Sequence, residues 1–510
     1  MVEDPETRKY LRALAKTSFF VFIAVVLSKA FSYGYKITIA RYFGAEIYGI
    51  YSLAFIIIGV LTAVFSLGLP DGLIRYISYY RGSKEYSKIK ILIIFSKKFF
   101  FITGIVSLII SIIFADYIST LFFDNEILGH FIKIMAFSIP FLLLSNIFIS
   151  IIRSFEKIKT YSFLINIYLN GSRFFLILAF IFIGMHTNSI VFSYVLSVVG
   201  LLALSYVMSK KEYMMIQKSP ELKDKKESKE VRVSLIDYAW PLVLVGIIYS
   251  LFYWTDSVMI GYFGSVEQVG FYNAAITLVS LFGIAPDLFM QLFYPLIASK
   301  LSQNKLKLIN DLTNQVIKWI LLINIPLLIA IFIFPEAAIN IFFGSEFIFA
   351  SDALRILTLG GIFSGLIGLM TNLISTKGRT KIVLVDFIVF LIINIILNAI
   401  LIPKYGINGA ATATSITWTL FFIISFIQVK KNYGFFPIKK DFIKIIISCL
   451  LPLSLLAFVG LNHNPNIFEF VLIFIIFSLI YLISLIITGT FDEKDKDIFR
   501  VVKNRFISLR

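Results

Sequence analysis

Apolar stretches of about 20 residues recur along the whole chain, each long enough to cross a hydrocarbon core of about 30 Å as a helix. Fourteen are placed, at 16–40, 46–69, 97–120, 127–152, 160–183, 187–209, 236–262, 268–294, 314–339, 351–375, 381–402, 406–429, 441–461 and 467–489, and are called spans 1 to 14. Only 15% of the residues are charged, against about 25% in an average soluble domain, and 59% are hydrophobic. The expected fold class is an all-α polytopic membrane protein with about 14 transmembrane helices.

Lysine and arginine collect in cytoplasmic connections, so their distribution tests the span count. One side receives the N-terminus (Arg8, Lys9, Arg12, Lys16), segment 70–98, the turn with Arg153, Lys157 and Lys159, and segments 210–232 and 296–313. It also receives Lys377, Arg379 and Lys381, segment 428–444 and the C-terminal tail, in all 39 of the 47 Lys and Arg. The opposite side has two, Arg41 and Lys404. A miscounted helix would invert this pattern, and none does. The expectation is a multi-pass protein of the cell membrane with both termini cytoplasmic.

The formal charge of +17 is therefore a topology signal, and no nucleic acid partner is expected. The opening MVEDPETRKYLRALAK lacks an apolar start followed by a small-residue cleavage site, so span 1 is expected to stay in place. One cysteine, Cys449, excludes a disulfide framework and reads as a small core residue. The polar stretch Ser209–Ser234 reads as a solvated cytoplasmic linker, and 69–90, mixing aromatics with cations, as an anchor along the cytoplasmic interface.

An internal repeat divides the spans. Lys36-Ile-Thr-Ile-Ala-Arg41-Tyr42-Phe43-Gly44 matches Asp256-Ser-Val-Met-Ile-Gly261-Tyr262-Phe263-Gly264, and Gly49-Ile50-Tyr51 matches Gly270-Phe271-Tyr272 after one extra residue. The turn Lys157-Ile158-Lys159 likewise corresponds to Arg379-Thr380-Lys381, each between the fourth and fifth span of its half. Six spans per copy is an even number, so the halves share one orientation and a pseudo-symmetry axis along the membrane normal. The expected organisation is a six-helix lobe at 1–209, a linker at 210–235, a second six-helix lobe at 236–431, two additional helices at 432–489 and a basic tail at 490–510.

A few charged groups remain inside the spans. A cation at mid-bilayer costs about 2.5–3.5 kcal/mol on insertion scales, so such a residue points into a protein-lined or wet space. Lys29 and Arg173 fall near mid-span and Lys36 in the outer half, and Lys29, Tyr33 and Lys36 share one helix face. Asn166, Asn170 and Arg173 form a polar stripe on span 5, read either as interhelical hydrogen bonding or as a cavity lining. The repeat sets Lys36 against Asp256, which suggests an ion pair closing the outer side or a shared site. Asp287 and Asp386, in the cytoplasmic halves of their spans, are candidates for a coupling ion, H+ or Na+. Arg41, matched by Gly261, reads as an outer-edge anchor, and Lys133, Lys318 and Arg355 as side chains reaching the interface from span ends.

The chain has no phosphate-binding GxxxxGK[ST] loop, no HExxH and no cysteine–histidine metal cluster, so a transporter is expected rather than an enzyme, with no metal and no cofactor. His130, His186 and His463 lie in three separate extracytoplasmic regions.

Three stretches carry a family likeness: ARYFGAEIYGIYSLAFIIIGVLTAVFSLGLPDGLIRYIS (40–78), DSVMIGYFGSVEQVGFYNAAITLVSLFGIAPDLFMQLFYPLIASKLS (256–302) and KYGINGAATATSITWTLFFIISF (404–426). They resemble the polysaccharide biosynthesis, or oligosaccharide flippase, family of Wzx type, within the superfamily that includes MATE multidrug exporters and lipid II flippases. The likeness covers about residues 10–431. It implies two lobes rocking around a central cavity, moving a polyprenyl-(pyro)phosphate-linked oligosaccharide from the cytoplasmic to the outer leaflet. Lys29, Lys36 and Arg173 would then receive the anionic part of the substrate while the prenyl tail stays in lipid. Expected partners are the lipid-linked glycan, membrane lipids, and a glycan polymerase or glycosyltransferases of the same route. A drug exporter of MATE type and a lipid II-type flippase are the alternatives on the same fold. A membrane glycosyltransferase would need acidic catalytic groups on sizeable external loops, which the short connections on that side do not provide.

Overall fold

The computed structural model describes residues 5–221, 224–303, 305–434, 441–459 and 467–491, and among them every regular element is a helix. Eleven helices are long and apolar enough to cross a membrane. Two of these, Phe20–Ser66 and Thr380–Tyr433, each hold two of the spans read from the sequence. Helix Asp441–Val459 supplies span 13, which brings the total to fourteen. The C-terminal tail beyond 491, with Lys439, Lys440 and His463, lies outside the described residues.

Glycine makes both breaks. Gly44 has φ 84° and ψ 179° between spans 1 and 2, and Gly406 has φ 55° and ψ −134° between spans 11 and 12. Both are left-handed conformations that a side chain resists. The chain can therefore turn at the membrane edge without a long loop.

The described structure forms two compact units, 1–277 with 384–413, and 278–383 with 414–510. In the first, small residues bring helices together. Span 3 buries Gly104, Ser107, Ser111, Ala115 and Ser119, and span 6 buries Ser189, Ser193, Ser197, Ser205 and Ser209, mostly at four-residue steps. Such stripes let apolar helices approach closely. Several of the hydroxyls satisfy themselves on their own helix, as Ser197 does on the Tyr194 carbonyl at 2.7 Å and Ser111 on that of Ser107 at 2.6 Å.

Backbones approach closely at the repeat itself. A Cβ on Gly49 would stand 1.9 Å from the Val266 carbonyl oxygen, and one on Gly270 would stand 2.0 Å from that of Ala45. Ala45 and Val266 are themselves equivalent under the repeat, so the contact is reciprocal, residue against matching residue. Spans 2 and 8 cross backbone to backbone there, which explains both glycines.

Segment 69–90 opens with helix Leu69–Gly82, whose buried face carries Leu69, Gly72, Leu73, Ile77 and Tyr80, while the Arg75 guanidinium lies 4.1 Å over the Tyr238 ring. The polar stretch Ser209–Ser234 is mostly exposed and largely helical. Helix Asn188–Gln217 runs into it and helix Lys225–Phe263 begins within it, because its Lys, Glu, Met and Gln residues are good helix formers. Lys97 donates to the Tyr213 hydroxyl at 2.8 Å, and ion pairs Lys157–Glu212 (2.6 Å) and Lys88–Glu227 (3.0 Å) hold the polar ends to other helices.

In the second unit, spans 13 and 14 pack through Ile445, Cys449, Phe477, Tyr481 and Leu485 against Ile329 and Phe334. Cys449 is buried there as a core residue, donating to the Ile445 carbonyl at 3.2 Å.

Gly49→Ala and Gly270→Ala are each expected to cost on the order of 1–3 kcal/mol by overpacking. Both should lower the melting temperature of the purified protein, whereas Gly246→Ala, where an added Cβ meets nothing within 4 Å, should not.

Candidate functional site

Lys29, Tyr33 and Lys36 lie half-buried along one face of span 1. The Lys36 ammonium donates to Thr277 Oγ1 at 3.3 Å, and that hydroxyl lies 3.2 Å from the Tyr48 hydroxyl. Spans 1, 2 and 8 thus meet in one polar relay. Gly34 and Gly171 seat span 1 against span 5, where Phe174 and Phe31 fill the space a side chain would occupy.

The stripe on span 5 resolves into three different contacts. Residues Phe163–Tyr168 form a π-helical turn, a local insertion often found at functional sites, and Asn166 lies within it, bonding Ser162 of its own helix at 3.0 Å. Asn170 donates across to Ser28 Oγ at 2.9 Å and fastens span 5 to span 1. Arg173 stacks its guanidinium 4.4 Å over the Tyr194 ring and reaches Ser197 Oγ with Nε at 3.4 Å. Tyr35, next to Lys36 in sequence, bonds Ser193 of the same helix at 3.2 Å.

Asp256 sits in a separate buried cluster. Its carboxylate accepts from the Tyr272 hydroxyl at 2.6 Å and from the Asn398 amide at 2.7 Å, and Asn398 also donates to Asn394 Oδ1 at 3.0 Å. The side chain is 7% exposed, Asn398 0% and Asn394 2%, so this carboxylate lives on protein donors. Among the described residues no ion pair joins Lys36 to Asp256, because Thr277 takes the ammonium and Tyr272 and Asn398 take the carboxylate. Span 8 supplies both, with Tyr272 on one side and Thr277 on the other. Tyr249 and Phe252, on the Asp256 helix, pack on Phe387 of span 11 at 5.5 and 5.4 Å.

Asp386 is buried on span 11, Asp287 is exposed on span 8, and Arg41 is exposed at the end of span 1. Lys133 pairs with Asp116 at 2.6 Å and Arg355 bonds the Phe332 carbonyl at 3.2 Å, both on exposed helix ends. Lys318 is different, and the expectation that it reaches the interface is overturned. It is 3% exposed, because the face that carries Asn314 and Lys318 at a four-residue step turns into the protein. Sequence reasoning also missed Thr277, Tyr194, Asn394 and Asn398. The last two were visible as Asn-Ile-Ile-Leu-Asn, an i, i+4 amide pair inside an apolar run.

Comparison with known proteins decides the family. The model of the polysaccharide biosynthesis protein family matches residues 14–299, more than half of the chain. The chain belongs to that family. The MatE family matches 241–400 as well, and the two matches together span both copies of the repeat.

Among relatives of this chain, an uncharacterized membrane protein of Methanocaldococcus jannaschii is 24% identical over 78% of this chain and 80% of its own length. A probable low-salt glycan biosynthesis flippase of Haloferax volcanii is 26% identical over 41% of this chain and 46% of its own length. A putative O-antigen transporter of Shigella flexneri is 22% identical over 74% of this chain and 88% of its own. In fold, the chain matches an inward closed structure of the lipid II flippase MurJ with a TM-score of 0.70 at 21% identity, covering 91% of this chain and 98% of that one. An inward-facing multidrug resistance MATE transporter matches with a TM-score of 0.68 at 12% identity, over 81% and 98%. The fold is therefore that of the multi-pass transporters of this superfamily.

Asn398→Leu should leave one oxygen of the Asp256 carboxylate without its amide donor and cost about 1–3 kcal/mol. Adding Asp256→Leu should restore part of the loss, a non-additivity that thermal unfolding of the single and double variants reads directly.

Proposed function

We propose that this protein carries a lipid-linked oligosaccharide, borne on a polyprenyl-(pyro)phosphate, from the cytoplasmic to the outer leaflet of the cell membrane. The observation that carries the reading is the half-buried cationic face of span 1, Lys29 with Lys36, inside an otherwise apolar helix of a family whose relatives include named glycan flippases. A phosphate resists hydrocarbon and the glycan needs a wet path, while the prenyl tail remains in lipid. Ammonium groups on a transmembrane face, with Arg173 on span 5, suit the phosphate through charge-assisted bonds.

In this reading the lobes 1–209 and 236–431 alternate in access about the pseudo-symmetry axis, and both termini face the cytoplasm on the side with 39 of the 47 Lys and Arg. The protein moves its substrate without breaking a bond, and the glycosyltransferases that build the glycan act before it. A drug exporter of the same fold is favoured less, since cations on the transport face repel cationic drugs.

Coupling to H+ or Na+ falls to the carboxylates, Asp256, Asp287 and Asp386. Asp256 has the most developed surroundings, two amides and a phenol in a buried cluster. The Lys36 cluster and the Asp256 cluster then do separate work, one for substrate and one for coupling.

Lys29→Ala and Lys36→Ala are each expected to reduce glycan export roughly ten- to a hundredfold, the worth of a hydrogen bond to a charged group, with expression unchanged. Surface glycan in a strain lacking the endogenous protein measures this. Full export by both variants and by the double would overturn the reading. Because the two charges do not meet, exchanging them as Lys36→Asp with Asp256→Lys should fail to rescue export in well-expressed protein.

A further inference from the structure

Away from the cations of span 1, helices Tyr86–Phe123, Ser138–Ser154 and Asn188–Gln217 enclose an open groove of about 580 Å³. Its polar end has Lys97, Lys98, Tyr213 and Gln217, with Ile94 one turn before Lys98, and Phe101 and Leu144 make its apolar end. Lys97 donates to the Tyr213 hydroxyl, and its ammonium has two further hydrogens to give. Lys98 is exposed, and neither its ammonium nor the Gln217 amide has a partner among the described residues. The Tyr213 ring is held by Phe148 and Tyr206 at 5.6 and 5.9 Å. Glu212, the neighbouring carboxylate, is already paired with Lys157.

The position of the groove identifies its occupant. From Phe99 to Ala115 span 3 has no charged residue, and from Ile190 to Ser209 span 6 has none. Lys97 and Lys98 come immediately before the first run, and Tyr213 and Gln217 follow the second. The polar end therefore stands at the depth where hydrocarbon gives way to headgroups. Phe101, one turn into the run and 56% exposed, faces outward toward the lipid. Donors at headgroup depth beside an outward apolar wall match one molecule, a phosphate with chains attached.

We propose that this groove is a binding site for an anionic phospholipid of the leaflet that borders Lys97. Lys97, Lys98 and Gln217 receive the phosphate, and a hydrocarbon chain lies along Phe101 and Leu144. Basic pockets between helices at a membrane surface bind headgroups in this manner. The site is independent of the transported lipid, which the cations of span 1 serve.

The test uses the full-length protein in detergent, with phosphatidylglycerol and phosphatidylcholine titrated separately and retained lipid read by native mass spectrometry. The expected result is a preference of about fivefold or more for phosphatidylglycerol, lost in Lys97→Gln with Lys98→Gln and kept in Lys210→Gln with Lys211→Gln. Should the first pair express poorly, Lys98→Gln alone decides, since that side chain is exposed and holds nothing in place. Equal retention of the two lipids by the unaltered protein, or a preference that survives loss of Lys97 and Lys98, would overturn the proposal. So would equal loss in the Lys210 and Lys211 variant, which marks diffuse surface charge. Inorganic phosphate that displaces the lipid at equal concentration would assign the lysines to a free anion instead and also overturn it.

Discussion

A carboxylate inside an apolar helix bundle persists only where donors reach it, and the donors of Asp256 come from two other spans. Tyr272 on span 8 and Asn398 on span 11 bind spans 7, 8 and 11 into one arrangement. Five residues further along span 8, Thr277 takes the Lys36 ammonium and meets Tyr48, which adds spans 1 and 2. Asn273, lying between them, donates to Ser257 at 3.0 Å. Span 8 is thus the helix that carries a partner of both the Asp256 carboxylate and the Lys36 ammonium. The backbone contact of Gly270 with Ala45 and of Gly49 with Val266 sets how closely it can lie against span 2.

The repeat explains why these contacts are reciprocal in backbone and divergent in chemistry. Gly49 and Gly270 have kept equivalent roles because a close crossing between equivalent helices needs a small residue on both. Tyr51 and Tyr272 have not. Tyr272 bonds a carboxylate, whereas Tyr51 packs edge-on against Tyr35 at 5.6 Å, since Lys36 stands where the other copy has Asp256. A duplicated frame with exchanged charges gives one protein two unlike polar centres. In the proposed reading, substrate capture and coupling fall to these two centres.

Likeness of fold carries less than this chemistry. The chain superposes on a lipid II flippase and on a multidrug transporter with similar scores, 0.70 and 0.68, so the architecture alone does not select a cargo. Selection rests on which side chains face the path. In the proposed reading those are the ammonium and guanidinium groups on spans 1 and 5, and one of them, Arg173, is held over the Tyr194 ring.

The sequence by itself determined the helical class, the apolar spans and the repeat, because membrane insertion depends on local hydropathy and on flanking charge. It also singled out Lys29, Lys36, Arg173 and Asp256, since a charge in an apolar run stands out without any knowledge of its neighbours. Only the tertiary structure decided the partners. Thr277, Asn394 and Asn398 are ordinary residues until helices distant in sequence bring them to a buried charge. Lys318 likewise read as a span-end lysine until packing enclosed it, and Asn170 became a fastener between helices once Ser28 was placed beside it. Hydropathy is a property of a segment, whereas the pairing of a buried polar group is a property of the faces that meet, and those faces are set by close packing between helices.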